Sequence, residues 1–201
     1  SYCGKNVRLP QWYSEFNISK NWIEYIGETI IKSNLPNNRD IQMSVIYNNS
    51  TPEREQIIAI LRETFGNESV QVFGSHRGKH VNKMEILARS KINICFENSI
   101  GNGYVTEKLL HSKMMKCKAL YWGDTYAFSD FSSKEVFNCY INNSQHEIIQ
   151  WCKSTIEKTI PTMKMVAIDE TIFESYPTLE PVKAHLRKWT GLILNWRNHK
   201  R

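Results

Sequence analysis

Between residues 96 and 110 the chain reads FENSIGNGYVTEKLL. A plain link from strand to helix needs neither the acid–amide pair Glu97–Asn98 nor the polar cluster Tyr104, Thr106, Glu107 and Lys108 that follows Gly101 and Gly103. A site for an anionic, hydroxyl-rich ligand would use all of them. A carboxylate such as Glu107 can accept from both hydroxyls of a ribose, and Lys108 can meet a phosphate as a point charge. Tyr104 offers an aromatic face to a base, and the glycines let the backbone turn and lie close to a ligand. Glu107 and Lys108 are adjacent, so a helix points them in different directions. The stretch is not GxGxxG and lacks the GK[ST] of a phosphate-binding loop. Spacing by itself therefore indicates a nucleotide site and goes no further.

Two other loops carry suitable groups. In NNSTPER (48–54), Arg54 stands in the first turn of a helix, where free N–H groups and the dipole favour anions. Arg54 is either a phosphate ligand or a solvated arginine offset by Glu53 and Glu55. Asn48 either faces the ligand or only ends a strand. In GSHRGKH (74–80), His76, Arg77 and Lys79 lie among glycines. That loop either closes on a phosphate or sugar or is a solvated surface loop.

These loops need a frame, and the chain supplies one. IQMSVIY (41–47), SVQVFG (69–74), KINICFE (91–97) and KALYW (118–122) are short apolar runs suited to buried strands. Between them lie helical patterns. The first has Thr51 as cap, Pro52 at the first helical position and Gly66 at the end. The second covers 81–90, and the third 104–116, burying Val105, Leu109 and Met115. Such alternation predicts an α/β fold, a parallel sheet with helices on both faces. Open parallel sheets bind ligands at the carboxyl ends of their strands, which puts all three loops on one edge. FSDFSSKEVFNCYI reads as loop with a short edge strand, and Ser144 to Glu147 as a capping box opening another helix. A lead-in segment and helix with Ser19 as cap (1–40), a nucleotide-binding domain (41–160) and a C-terminal helical extension (161–201) complete the expected organisation.

The 201 residues, 41% hydrophobic and 23% charged, suit one ordinary globular domain. A net charge of +6 fits an anionic ligand, but the basic residues form no arginine stripe, so nucleic acid is not the expected partner. The five cysteines show no CxxC or metal-ligand spacing, and Cys95 reads as a buried thiol. No run is long and apolar enough to span a membrane. Sequons at Asn17, Asn48, Asn49, Asn67 and Asn142 matter only in a luminal protein. There is no Ser/His/Asp order, HExxH or histidine cluster, and Asp169–Glu170 reads as a helix start. A kinase is disfavoured by the lack of a phosphate-loop lysine motif and of metal carboxylates.

The combination is more specific than its parts. FENSIGNGYVTEK followed at short distance by ALYWGD resembles the α1,3/4-fucosyltransferases, glycosyltransferase family 10. RLPQWY, YNNSTPER, KINICFENS and FSDFSSKEVFN extend the resemblance over most of residues 8 to 158. It implies the C-terminal, donor-binding half of a GT-B glycosyltransferase, a Rossmann-like fold that transfers L-fucose from GDP-fucose to a glycan hydroxyl with inversion. Arg54 and Lys108 would then hold the diphosphate and Glu107 the ribose. Asn98 would lie by the phosphates or sugar, and Tyr104 would line the donor pocket. No cofactor or metal is implied, because basic side chains neutralise the leaving group.

The sequence departs from the family pattern. Residues 1–40 are too short for the half that carries the base and much of the acceptor site. The resemblance thus implies a donor half cut from a larger protein, or one completed by an N-terminal acceptor-binding domain or subunit. The base is expected outside the chain, with Glu15 as the local alternative. KCKALYWGD has no proline before the tryptophan strand, and the carboxy-terminal cysteine pair of animal Golgi members is absent. That implies a cytoplasmic protein of bacterial or viral type, or a luminal Golgi protein if it belongs to a longer membrane-anchored chain. Two rivals stay open: a transferase of this fold using another nucleotide sugar, and a non-catalytic nucleotide-binding module.

Overall fold

The computed structural model describes residues 11–12, 39–74, 82–131 and 136–158. Five strands form one parallel sheet: β1 (Ile41–Ile46), β2 (Val70–Phe73), β3 (Ser90–Phe96), β4 (Lys118–Trp122) and β5 (Val136–Asn138). Their spatial order is β2-β1-β3-β4-β5, and every neighbouring pair is parallel. The helices are α1 (Pro52–Phe65), α2 (Lys83–Arg89), α3 (Glu107–Met114), α4 (Ala127–Asp130) and α5 (Gln145–Glu157), with a 3-10 turn at Asn67–Ser69.

β1 and β3 lie inside the sheet, and their buried runs reflect cover on both faces. On one face, Met43, Val45, Ile92 and Ile94 pack with Ile57, Ile58 and Leu61 of α1 and with Ile148 and Cys152 of α5. On the other, Cys95, Ala119 and Tyr121 pack with Leu87 and Ala88 of α2 and with Leu109, Leu110 and Met114 of α3. Trp12, 1% exposed, joins this second layer with its ring centroid 5.3 Å from that of Phe131. Helices therefore cover both faces, as the alternation predicts.

Local signals place the helix ends. Thr51 Oγ1 accepts from the Arg54 N–H at 3.4 Å, Pro52 opens α1, and Gly66 closes it at φ +94° with its N–H on the Arg62 carbonyl at 2.9 Å. Ser144 Oγ accepts from the Glu147 N–H at 3.4 Å. Away from the functional edge, Arg39 donates to the carbonyls of Leu87, Ser90 and Met115, tying β3 to both helices of the second layer.

Several boundaries differ from the sequence expectation, β2 for one covering Val70–Phe73 within the expected 69–74. Tyr47 and Glu97 fall outside β1 and β3, although their N–H groups still bond Phe73 and Trp122 carbonyls at 3.0 and 2.9 Å. α3 starts at Glu107, not Tyr104, because residues 101–104 form a turn. The Tyr104 N–H meets the Gly101 carbonyl at 2.8 Å. Gly103 has φ +78°, the sign required at the third position of a type II turn. α2 is shorter than expected, since Ser90 already belongs to β3. The expected helices within 1–40 and 161–201 and the pair Asp169–Glu170 lie outside the described residues.

Candidate functional site

From β1 the chain crosses to β2 on one side, and β3 lies on the other. The connections after β1 and β3 leave in opposite directions over opposite faces, so a crevice opens between the carboxyl ends of those two strands. Its two rims are the loops 47–51 and 97–106.

Arg54 spans this crevice. It is 1% exposed, not the solvated arginine that was one sequence alternative. Nη2 donates to the Phe96 carbonyl at 2.8 Å and to Asn98 Oδ1 at 3.2 Å, and Nη1 donates to the Asn49 carbonyl. The guanidinium also lies 4.8 Å from the centre of the Tyr47 ring. Tyr47 in turn donates to Glu55 Oε1 at 2.6 Å, which also accepts from Ser50. Burial lowers the Arg54 pKa, opposed by Tyr47, Glu55 and Glu97; an arginine stays charged regardless. Three of its five N–H donors are thus spent on joining the two rims.

Glu97 organises the other rim. Its carboxylate is wholly buried. Oε1 accepts from the Thr106 N–H at 2.8 Å and lies 3.5 Å from the Tyr121 hydroxyl. Oε2 accepts from Thr106 Oγ1 at 2.6 Å and from Lys108 Nζ at 2.8 Å. Thr106 is the N-cap of α3, yet its side chain makes no cap bond, being turned to Glu97. A carboxylate from the end of β3 thereby takes the place of the helix cap and fixes Lys108 at once. Gly123 leaves room for this arrangement: a Cβ there would stand 2.2 Å from the Tyr121 hydroxyl oxygen.

Lys83, at the start of α2, forms an ion pair with Glu107 at 3.2 Å, each side chain about 30% exposed. Burial pushes the Glu107 pKa up, but Lys83 and Lys108 outweigh it and the net shift is down, so the carboxyl is held ionised. The adjacent residues Glu107 and Lys108 do point apart, one to Lys83 and the other to Glu97. Arg54, Lys83 and Lys108 line one pocket, floored by Asn93 and Cys95 of β3. Burial pushes the Cys95 thiol up to about 12, so it acts as packing.

His111 lies one turn beyond Glu107, and burial, reinforced by Lys83 and Lys108, lowers its pKa to about 3. The unfolded chain protonates this imidazole below its ordinary 6.5 while the folded one does not. Stability is therefore present above that value and lost as pH falls from 6.5 towards 3. The expected loss between pH 7 and pH 5 is at most about 2 kcal/mol. Urea unfolding at the two pH values should show it, and His111→Gln should flatten the difference. An unchanged pH slope in that variant would remove His111 as its source.

The structure thus brings Arg54 and Lys108 together at one pocket and adds Lys83, which the sequence reading passed over. The available signal was a cation in the first turn of a helix entering from the same sheet edge, as with Arg54. Asn98 is exposed and reaches the site as an acceptor from Arg54. Glu107 adjoins it through Lys83, and Gly101 and Gly103 shape the rim turn. Tyr104 is half-buried and outside the pocket lining, and Asn48 is exposed at the end of β1. His76, Arg77, Lys79 and Glu15 lie outside the described residues. Among the described residues, no group of three His, Cys, Asp or Glu side chains is placed to hold a metal, and no helix is long and apolar enough to cross a membrane.

A 72-residue stretch is 38% identical to an α-(1,3)-fucosyltransferase of Helicobacter pylori, covering 36% of this chain and 15% of that protein. This chain is similar to the α1,3-fucosyltransferases. The resemblance drawn from the FENSIGNGYVTEK signature therefore holds. A solved α1,3-fucosyltransferase with GDP matches at TM-score 0.56 and 25% identity, over 76% of this chain and 44% of that one. Another, with GDP-fucose, matches at TM-score 0.58 and 22% identity over 88% and 55%, a likeness of fold alone. The chain spans about half or less of the length of these proteins. No protein-family model matches it.

Proposed function

We propose that this chain is the donor-binding part of an inverting fucosyltransferase, holding GDP-fucose in the crevice between β1 and β3. The observation that carries the reading is the convergence of Arg54, Lys83 and Lys108 on one pocket at that crevice. Neutralising a diphosphate with fixed side chains is what a departing GDP requires. As the sugar–phosphate bond breaks, negative charge grows on the diphosphate, and pre-placed cations in a half-buried site stabilise it without reorganisation. The acceptor hydroxyl oxygen bonds to the anomeric carbon from the opposite face, and its proton passes to a carboxylate base.

That base is supplied from outside the donor half. Glu97 is wholly buried among its donors, and Glu107, held ionised beside Lys83, is the carboxylate this reading gives to the ribose. An N-terminal acceptor-binding domain or subunit brings the base and the glycan acceptor.

Calorimetry with GDP, GDP-fucose, GDP-mannose and UDP-sugars tests the donor. The expected order places the GDP ligands well ahead of the UDP-sugars, with GDP-fucose ahead of GDP-mannose. A preference for UDP-sugars would overturn the reading. A transfer assay then tests the division of labour: the chain alone should transfer fucose very slowly, since loss of the base costs about 10²–10⁴ in rate. Full activity from the chain alone would place the base within it.

A further inference from the structure

The two lysines at the pocket are held in unlike ways. Lys108 is 17% exposed, and it meets both Glu97 at 2.8 Å and Thr106 Oγ1 at 2.9 Å. Glu97 also binds the Thr106 N–H and hydroxyl, so Lys108 cannot leave without unmaking the rim. The Lys83–Glu107 pair is a single contact of 3.2 Å between side chains about 30% exposed. A single half-buried pair at the rim contributes little, on the order of 1 kcal/mol, so exchange of partners costs little.

The position of Lys83 is nonetheless fixed at its base. Asn82 Oδ1 accepts from the N–H groups of Met84 and Glu85 at 3.1 and 3.3 Å, capping the turn that carries it. Its ammonium thus has a tethered stem and, in Glu107, an easily surrendered partner, beside Arg54 and Lys108. Among the described residues these three cations stand against Glu97 and Glu107, with Glu55 and Glu53 also acting on Arg54 from α1.

We propose that Lys83 is a further phosphate-binding group of this site, and that donor binding exchanges the Lys83–Glu107 pair. The ribose hydroxyls donate to Glu107, and the released ammonium of Lys83 turns to the diphosphate. Before that exchange, the same pair keeps Glu107 ionised and Lys83 close. The inference rests on the donor reading above and adds a coupling to it: recognition of the ribose and recognition of the diphosphate strengthen each other through one ion pair. Linkage of this kind is reciprocal, so removing either half of the ligand weakens the contribution of the other half.

The test is calorimetry on the purified chain, comparing wild type, Lys83→Gln and Lys83→Arg with GDP, 2′,3′-dideoxy-GDP and guanosine. Loss of one charge-assisted contact should weaken GDP binding roughly ten- to hundredfold in Lys83→Gln. For guanosine the loss should be under about twofold. For dideoxy-GDP it should be under about threefold, because Glu107 then keeps Lys83. Lys83→Arg should recover most of the GDP affinity, and unchanged unfolding midpoints would show that both variants fold. Equal losses for GDP and dideoxy-GDP would overturn the exchange, and wild-type GDP affinity in Lys83→Gln would overturn the phosphate role. Both outcomes leave the donor reading standing if wild type binds GDP; a wild-type chain that binds no GDP overturns both.

Discussion

Arg54→Ala is expected to lower the unfolding free energy by about 3–4 kcal/mol, a large effect for one side chain in a loop-to-helix turn. The guanidinium is buried, and three of its N–H groups join acceptors on both sides of the crevice. Hydrogen bonds from a charged donor contribute about 1.5–3 kcal/mol each. Asn49 and Asn98 are exposed and regain water when the arginine goes, whereas Phe96 is buried and its carbonyl loses the Arg54 donor. The sum is therefore smaller than three full bonds. Lost contact with the Tyr47 ring adds a fraction of a kcal/mol. Arg54→Lys keeps the charge but not the fork, and should fall between wild type and alanine.

The same variant separates two roles for this arginine. A residue that only met phosphate would affect GDP and leave guanosine alone. A residue that joins the rims should weaken both ligands, with GDP weakened more if it also meets phosphate. Urea unfolding and calorimetry measure the two effects separately. An unfolding free energy within about 0.5 kcal/mol of wild type would deny the bridge any energetic weight.

Breaking the Glu97–Lys108 pair from either side should cost the fold about 3–5 kcal/mol. In Lys108→Ala the wholly buried carboxylate keeps Thr106 but loses its cation. In Glu97→Ala the Thr106 N–H, the Thr106 hydroxyl and the Lys108 ammonium lose their shared acceptor, and α3 loses the group standing in for its cap. Either change should also weaken GDP binding, the first by deleting the cation and the second by releasing it. The double variant Glu97→Gln, Lys108→Met should cost less than the sum of its singles, with a coupling of about 1–3 kcal/mol. Strict additivity in that cycle would mean that the contact at 2.8 Å contributes nothing of its own.

Much of the frame is legible in the residues. The largely apolar runs at 41–47 and 91–97 reflect strands covered on both faces, and their alternation with helical patterns indicates a parallel α/β sheet. Thr51, Pro52, Gly66 and Ser144 mark helix ends through short-range bonds that need no distant partner. The rule that such sheets bind at the carboxyl ends of their strands then puts 48–54 and 98–108 on one edge. The FENSIGNGYVTEK signature points to the family because its residue types are unusual together. Adjacency alone assigns Glu107 and Lys108 to different directions, since neighbours on a helix diverge.

What sequence spacing could not supply was which charges pair across the fold. Arg54 and Asn98 are 44 positions apart, and Lys83 and Glu107 are 24 apart. Only the order β2-β1-β3, which brings the first and third loops to one crevice, makes them neighbours. That order turns Arg54 from a surface arginine into a buried bridge, and it brings Lys83 over β1 to the pocket. Burial then decides the fate of each carboxylate. Glu97, sealed among four donors, becomes part of the scaffold, while Glu107 lies at the rim, about 30% exposed and paired with Lys83. Local sequence fixes which groups are present, because side-chain chemistry and short-range caps are local. Tertiary structure decides which of them are already spent, because hydrogen bonds and desolvation depend on what the fold brings within reach.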